Sequence, residues 1–190
     1  MAEENTQAFE QEQATVAEVK TDSVSARNVE MHRTVADVVQ AAQSVTIRQG
    51  GAREIRAQDV TIRQGAAVSI DADSVSIVQG AAGLVRSSDA QLGAGSTTVA
   101  VLADTVKLDQ AGAQFILGRD TVEMDQSAAG ILVAHNITAR DSAAVLMFAD
   151  KVEGDVTVVM DRQMAISFGA AMGAALGLVL AVFGILRRRK

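Results

Sequence analysis

The 190-residue chain contains no cysteine, no proline, no tryptophan and no tyrosine, and aromatic residues make up only 3% of it. Without cysteine there is no disulfide and no thiolate metal site, which leaves every redox compartment open. Without proline every backbone N–H is free to enter a hydrogen-bonded ladder. The shortage of aromatics argues against a thick globular core, which large rings commonly fill. Hydrophobic residues nevertheless reach 48%, with Ala, Val and Gly supplying most of the apolar mass. Such side chains suit a narrow stack. A formal net charge of -6 and a pI near 4.9 provide no broad basic face, so no nucleic-acid partner is expected. The local cluster Arg48, Arg53, Arg56 and Arg63 reads as a solvated rim, with a docking face as the functional alternative.

What the chain does have is a phrase that returns every 15 or 16 residues. Val45-Thr46-Ile47-Arg48-Gln49-Gly50 is followed by Val60-Thr61-Ile62-Arg63-Gln64-Gly65 and Val75-Ser76-Ile77-Val78-Gln79-Gly80. A short fixed period built on strand-forming residues indicates a chain coiled upon itself. The first inward column reads Val29, Val45, Val60, Val75, Ala90, Val106, Val122, Ile137, Val152. Two residues later stand Met31, Ile47, Ile62, Ile77, Leu92, Leu108 and Met124, with polar residues such as Glu30, Thr46 and Lys107 between them. That alternation is the period of a strand with one buried face.

Small-residue corners follow (Gly50-Gly51-Ala52, Gly65-Ala66-Ala67, Gly80-Ala81-Ala82), where glycine is expected to supply φ > 0. A second apolar segment is led by Ile55, Ile70, Val85, Ile116, Leu132 and Met147, and each coil closes at a polar pair such as Gln58-Asp59. Thr105 and Thr121 read as the extra residues of two 16-residue coils. The expected fold is all-β: a single-stack parallel β-solenoid of about nine coils, each with two short strands and two corners, roughly 40 Å long. Gln49, Gln64, Gln79, Gln110 and Gln126 share one position and are expected to form an amide ladder that fixes register.

The predicted organisation is a polar N-terminal segment or cap over 1–23, the solenoid over 24–160 and a short linker over 161–163. A membrane-spanning helix over 164–186 and a basic tail over 187–190 follow. From Met164 to Leu186 there are 23 residues without a charge, long enough to cross a bilayer. Arg187, Arg188, Arg189 and Lys190 then form a membrane-interface anchor. Gly169, Gly173 and Gly177 recur every four residues, and Gly184 extends the stripe, a pattern that lets two helices approach closely in lipid. The expected partners are therefore the lipid bilayer, further copies of the chain and an unidentified protein.

Two topology signals disagree. Met1–Lys20 has neither a basic n-region nor an apolar h-region, which predicts a tail anchor with the solenoid in the cytoplasm. The four terminal cations, against Arg162 alone on the near flank, vote for the opposite orientation by the positive-inside rule. The expectation follows the missing signal: a single-pass C-terminal anchor and a cytoplasmic rod.

The short coils of residues 24–160 resemble bactofilins, bacterial scaffold proteins whose β-solenoids join end to end into filaments at membranes. Ser44-Val45-Thr46-Ile47 and Ser74-Val75-Ser76-Ile77 are also similar to the strand that recurs in the β-roll heads of trimeric autotransporter adhesins. The first resemblance implies scaffolding, the second surface recognition. Bactofilins usually lack a C-terminal membrane helix, and the adhesins carry a signal peptide and barrel anchor that this sequence does not match. The tail also looks like a cell-surface sorting tail, but no proline-containing sorting motif precedes it.

Solenoid enzymes that resemble hexapeptide acyltransferases and related carbonic anhydrases use histidines at subunit boundaries. Here only His32 and His135 are present, at opposite ends of the stack. Asp109 and Asp125 occupy equivalent places on successive coils, with Lys107, Arg119 and Arg140 near enough in sequence to neutralise them. No phosphate loop, nucleophile elbow or metal-ligand spacing occurs. The expectation is a scaffold and not an enzyme, with no catalytic residue, metal or cofactor; a surface-displayed binding or adhesion module is the alternative.

Overall fold

The structure, a computed structural model, describes residues 14–17 and 20–158. Nine strands follow in chain order: β1 (Ala14–Ala17), β2 (Lys20–His32), β3 (Val35–Arg48), β4 (Gly51–Arg63), β5 (Ala66–Val78), β6 (Ala81–Leu92), β7 (Thr97–Asp109), β8 (Gly112–Asp125) and β9 (Ala128–Val158). Each lies parallel to the next, and their order in the sheet is their order in the chain. In register, Val45 lies beside Val60, Val60 beside Val75, and Ile47 beside Ile62. The fold is an all-β parallel solenoid of about eight turns.

The count falls below the expected nine because the last column position is not sealed. Val152 is 48% exposed, and the buried core ends at Ala144. At the other end pairing begins at Ala14, opposite Val29, ahead of the expected start at Val24. The run Met164–Leu186 lies outside the described residues, and among these no helix is long and apolar enough to cross a membrane.

The coil has three bends where two were expected. In β4 the buried residues are Ala52, Ile55, Val60 and Ile62, with Ala57 partly buried, so two outward pairs interrupt the alternation. These pairs, Arg53-Glu54 and Gln58-Asp59, mark bends, and the β4–β5 register skips Arg53 and Gln58. The third bend is Gln64-Gly65. Ala52, Ala67, Ala82, Ala113 and Ala129 are all buried and form the inward column of a short first side. Read from sequence alone they merged with the corner, because alanine signals neither strand nor turn strongly. The second side is led inward by Ile55 and its equivalents, and the third by the Val60 and Ile62 columns. Burying each Ile or Val of these columns stabilises the fold by about 1.5–3 kcal/mol.

Positive φ also falls elsewhere than expected. It belongs to Gln49 (57°), Gln64 (57°) and Gln79 (52°), not to the glycines after them. The left-handed conformation costs about 1–2 kcal/mol at a non-glycine residue. Here it is offset by cross-coil bonds, in which the Gln49 N–H donates to the Arg63 carbonyl at 3.1 Å and the Gln64 N–H to that of Val78 at 3.1 Å. Glycine follows because the backbones crowd: a Cβ on Gly65 would lie 2.6 Å from the Gly50 carbonyl oxygen. Other coils place hydroxyls there. Ser127 Oγ donates to the Asp125 carbonyl at 2.7 Å and accepts the Ala111 N–H at 3.2 Å, and Ser142 repeats the pattern one coil on.

The extra residues of the longer coils do not sit at Thr105 and Thr121. One falls in the Gly93–Ser96 turn, since Ile77 pairs with Leu92, 15 residues on, while Ala81 pairs with Thr97, 16 residues on. Another is at Arg119-Asp120, where the β7–β8 register shifts between Ala103 and Thr105. Both sites are bends, which absorb an insertion without moving an inward column.

Two substitutions test this packing. Thr98 Oγ1 is buried without a hydrogen-bond partner in a column otherwise filled by alanine. Thr98→Val, nearly isosteric, is expected to raise unfolding stability by about 1 kcal/mol in a denaturant titration. Gly65→Ala is expected to lower it by about 1–3 kcal/mol. An unchanged midpoint would show that the two coils are not in contact there.

Candidate interaction surface

The third side of the solenoid is polar along most of its length, with Val78 as the apolar exception. Glu30, Thr46, Thr61, Gln91, Lys107 and Glu123 occupy one outward column, and Lys107 Nζ lies 3.0 Å from Glu123 Oε2. In the next column Asp109 and Asp125 are register neighbours, as expected, and Arg140 stands beside Asp125. Arg119 does not join them; it pairs with Asp104 at 3.4 Å on another bend. Among the described residues no group of three or more His, Asp or Glu is placed to hold a metal ion. His32 Nε2 meets Glu30 at 3.1 Å and His135 Nδ1 meets Asp150 at 3.0 Å, at the two ends of the stack. Both are ordinary surface ion pairs when protonated.

Three of the four clustered arginines are similarly matched. Arg48 lies 3.9 Å from Glu30, Arg53 3.6 Å from Asp37, and Arg56 pairs with Glu54. These side chains are exposed, so each pair contributes little to stability. Near the C-terminal end Lys151 donates to Glu153. That hydrogen bond and its charge hold the Glu153 carboxyl below its ordinary range, and Glu153 in turn raises the Lys151 ammonium.

The glutamine ladder forms in two runs. Gln49 Nε2 donates to Gln64 Oε1 at 3.2 Å and Gln64 Nε2 to Gln79 Oε1 at 3.1 Å. Gln110 Nε2 donates to Gln126 Oε1 at 3.4 Å. Gly95 stands between the runs with φ 72°. Each amide both crosses to the next coil and decorates a left-handed residue, so the ladder fixes register at the bend.

The second side changes character halfway along the rod. One of its outward columns reads Gln40, Arg56, Asp71, Arg86 in the N-terminal half. The same column continues as Leu102, Leu117 and Val133. Phe148 stands 15 residues after Val133, the spacing at which Ser142 Oγ accepts the Ser127 N–H. The other outward column passes from Glu54 and Ser69 to Leu84, then through Ala100 to Phe115 and Ile131. Phe115 is 47% exposed, Leu117 50% and Phe148 53%. The only aromatic side chains among the described residues therefore lie on this surface and not in the core. A shallow open concavity beside it is lined by Arg86, Leu102, Asp104, Leu117 and Arg119.

The sequence carries a signal for this surface that the inward register alone misses. In Phe115-Ile116-Leu117, Ile131-Leu132-Val133 and Leu146-Met147-Phe148 every residue is apolar, so the strand is apolar on both faces. The equivalent segments Glu54-Ile55-Arg56 and Ser69-Ile70-Asp71 alternate normally. Gly169, Gly173, Gly177 and Gly184, with Arg187, Arg188, Arg189 and Lys190, lie outside the described residues. Comparison with family models, with curated proteins and with solved structures finds no match.

The bend itself is testable at Gln64. Asparagine tolerates positive φ and a β-branched residue does not. Gln64→Val is expected to lose about 2 kcal/mol of unfolding stability and Gln64→Asn less than half of that. Equal losses in the two variants would contradict a left-handed residue at this bend.

Proposed function

We propose that this chain is a membrane-tethered structural protein, a bactofilin-like scaffold whose solenoid is held at a bilayer by its C-terminal segment. The observation that carries this reading is a charge-free run of 23 residues, Met164–Leu186, immediately after a repeat rod and immediately before four cations. Such a run has the length and hydropathy of a bilayer span, and terminal Lys and Arg reach the headgroups. The stripe of Gly169, Gly173, Gly177 and Gly184 would pair two such helices. Confinement to a membrane raises the local concentration of rods, so weak contacts between them become effective. The rod's contribution is geometric: a rigid stack with sides of fixed, different chemistry. No catalytic residue, cofactor or metal enters this reading.

The second reading is a surface-displayed binding or adhesion module. The four terminal cations favour it, because they prefer the cytoplasmic side and would leave the rod outside. The scaffold reading places the rod in the cytoplasm, with the C-terminal segment as a tail anchor.

The native lack of cysteine makes the topology test direct. A single cysteine at Gln7, or one added after Lys190, is challenged on intact cells with a membrane-impermeant maleimide. The scaffold reading expects Gln7→Cys to label only after lysis. Labelling on intact cells would move the rod outside and make surface recognition the function. Replacing Gly173 and Gly177 together by Leu is expected to reduce helix association about tenfold in a membrane two-hybrid assay. An unchanged signal removes helix pairing from the proposal.

A further inference from the structure

We infer that the apolar part of the second side is a lateral interface with a second copy of this chain, the two rods lying parallel. The parallel orientation rests on the tether proposed above; the existence of the interface does not.

Two columns two residues apart along the strands, Leu102, Leu117 and Phe148 in one and Phe115 and Ile131 in the other, form a contiguous apolar surface on which Phe115 is 47%, Leu117 50% and Phe148 53% exposed. A patch of this kind is in the class of the largest apolar patches of monomers, about 300–600 Å², which commonly mark interaction sites, and it would supply a large part of the ~800 Å² per partner of a stable interface. The surface is the face of a parallel sheet. Such faces bury themselves by packing on another sheet at a separation of about 10 Å. A copy of the same face offers columns with the same coil spacing, so the two match along their whole length. An isologous pair of this kind closes on itself.

The charges at the two edges select the partner and the orientation. The edge at one bend carries Asp104, Arg119, Asp120, His135 and Asp150; Arg119 pairs with Asp104 at 3.4 Å and His135 with Asp150 at 3.0 Å. This edge has no excess of cations to draw it to an anionic lipid surface. The edge at the other bend carries Val99, Gln114, Gly130 and Val145. A two-fold axis running along the rods sets the ion-paired edge of one copy against the uncharged edge of the other. An antiparallel pair would instead press the two ion-paired edges together and strip their water, which is costly. Two rods anchored through the same end are parallel already.

The experiment uses the full-length chain in its membrane, with one introduced cysteine and a short bis-maleimide. Leu117→Cys is expected to give a covalent dimer about tenfold more abundant than Gln91→Cys on the third side. Adding Phe115→Asp, or Leu102→Asp as an independent variant should the first fail to fold, is expected to remove that dimer. Carbonate extraction of the same membranes reads the tether separately: a chain released into the supernatant contradicts the tether whatever the cross-link shows. A Leu117 dimer no more abundant than the Gln91 one overturns the interface. So does quenching of a Leu117-attached fluorophore by brominated lipid without a dimer, which assigns the face to the bilayer. Cross-linking of Leu117→Cys to an Ala175→Cys in the same chain also overturns it, assigning the face to the chain's own C-terminal segment.

Discussion

Everything in this fold depends on the hydrogen-bonded register between one coil and the next. A single coil of this chain encloses almost nothing: one Ile or Val such as Ile55 on the second side, two such as Val60 and Ile62 on the third, and one small alanine such as Ala52 on the first. Only when coils stack do Val45, Val60 and Val75 seal one another, and only then does each bend find its carbonyl partner. The lack of proline and the shortage of aromatics both follow from that constraint. A missing N–H would break the ladder, and a ring would not fit inside the coil. Stability is therefore distributed along the rod as a sum of neighbour interactions.

The same constraint sets what the outside can do. Because inward columns are fixed by packing, outward columns are free to vary from coil to coil, and each side becomes a strip of independent chemistry. The third side stays polar apart from Val78. The second side is charged at Arg56, Asp71 and Arg86 and turns apolar from Leu102 to Phe148. Nothing in the interior requires that change, since Ile55, Ile70, Val101 and Ile116 are equally buried beneath both halves. The change faces outward, where packing does not fix the residue type.

Most of the architecture was legible in the sequence, because period 2 alternation and a 15-residue return are both direct consequences of stacked strands. The columns headed by Val45, Ile47 and Ile55 lie where the pattern put them, and the glutamines do form ladders. What was not legible was local backbone geometry. Glycine beside glutamine suggested that glycine takes the positive φ. Yet Gln64 takes it, and Gly65 is needed for the close approach of the Gly50 carbonyl. The third bend was hidden because Ala52 and its equivalents carry no strand or turn preference. The apolar side was hidden by the register itself: the inward Ile116 and Leu132 already account for a buried strand, and the apolar residues flanking them, Phe115, Leu117 and Val133, add nothing to that pattern.

A tethered rod that pairs along one side makes a geometric claim, and distances between copies test it most directly. The full-length chain in lipid nanodiscs would carry one nitroxide at a time at Thr61, Gln91 or Glu123, three coils of one outward column on the polar side. Parallel side-by-side pairing predicts the same narrow spin–spin distance from all three sites in pulsed dipolar spectroscopy. Distances that diverge from coil to coil, or a decay without any dipolar oscillation, would contradict it.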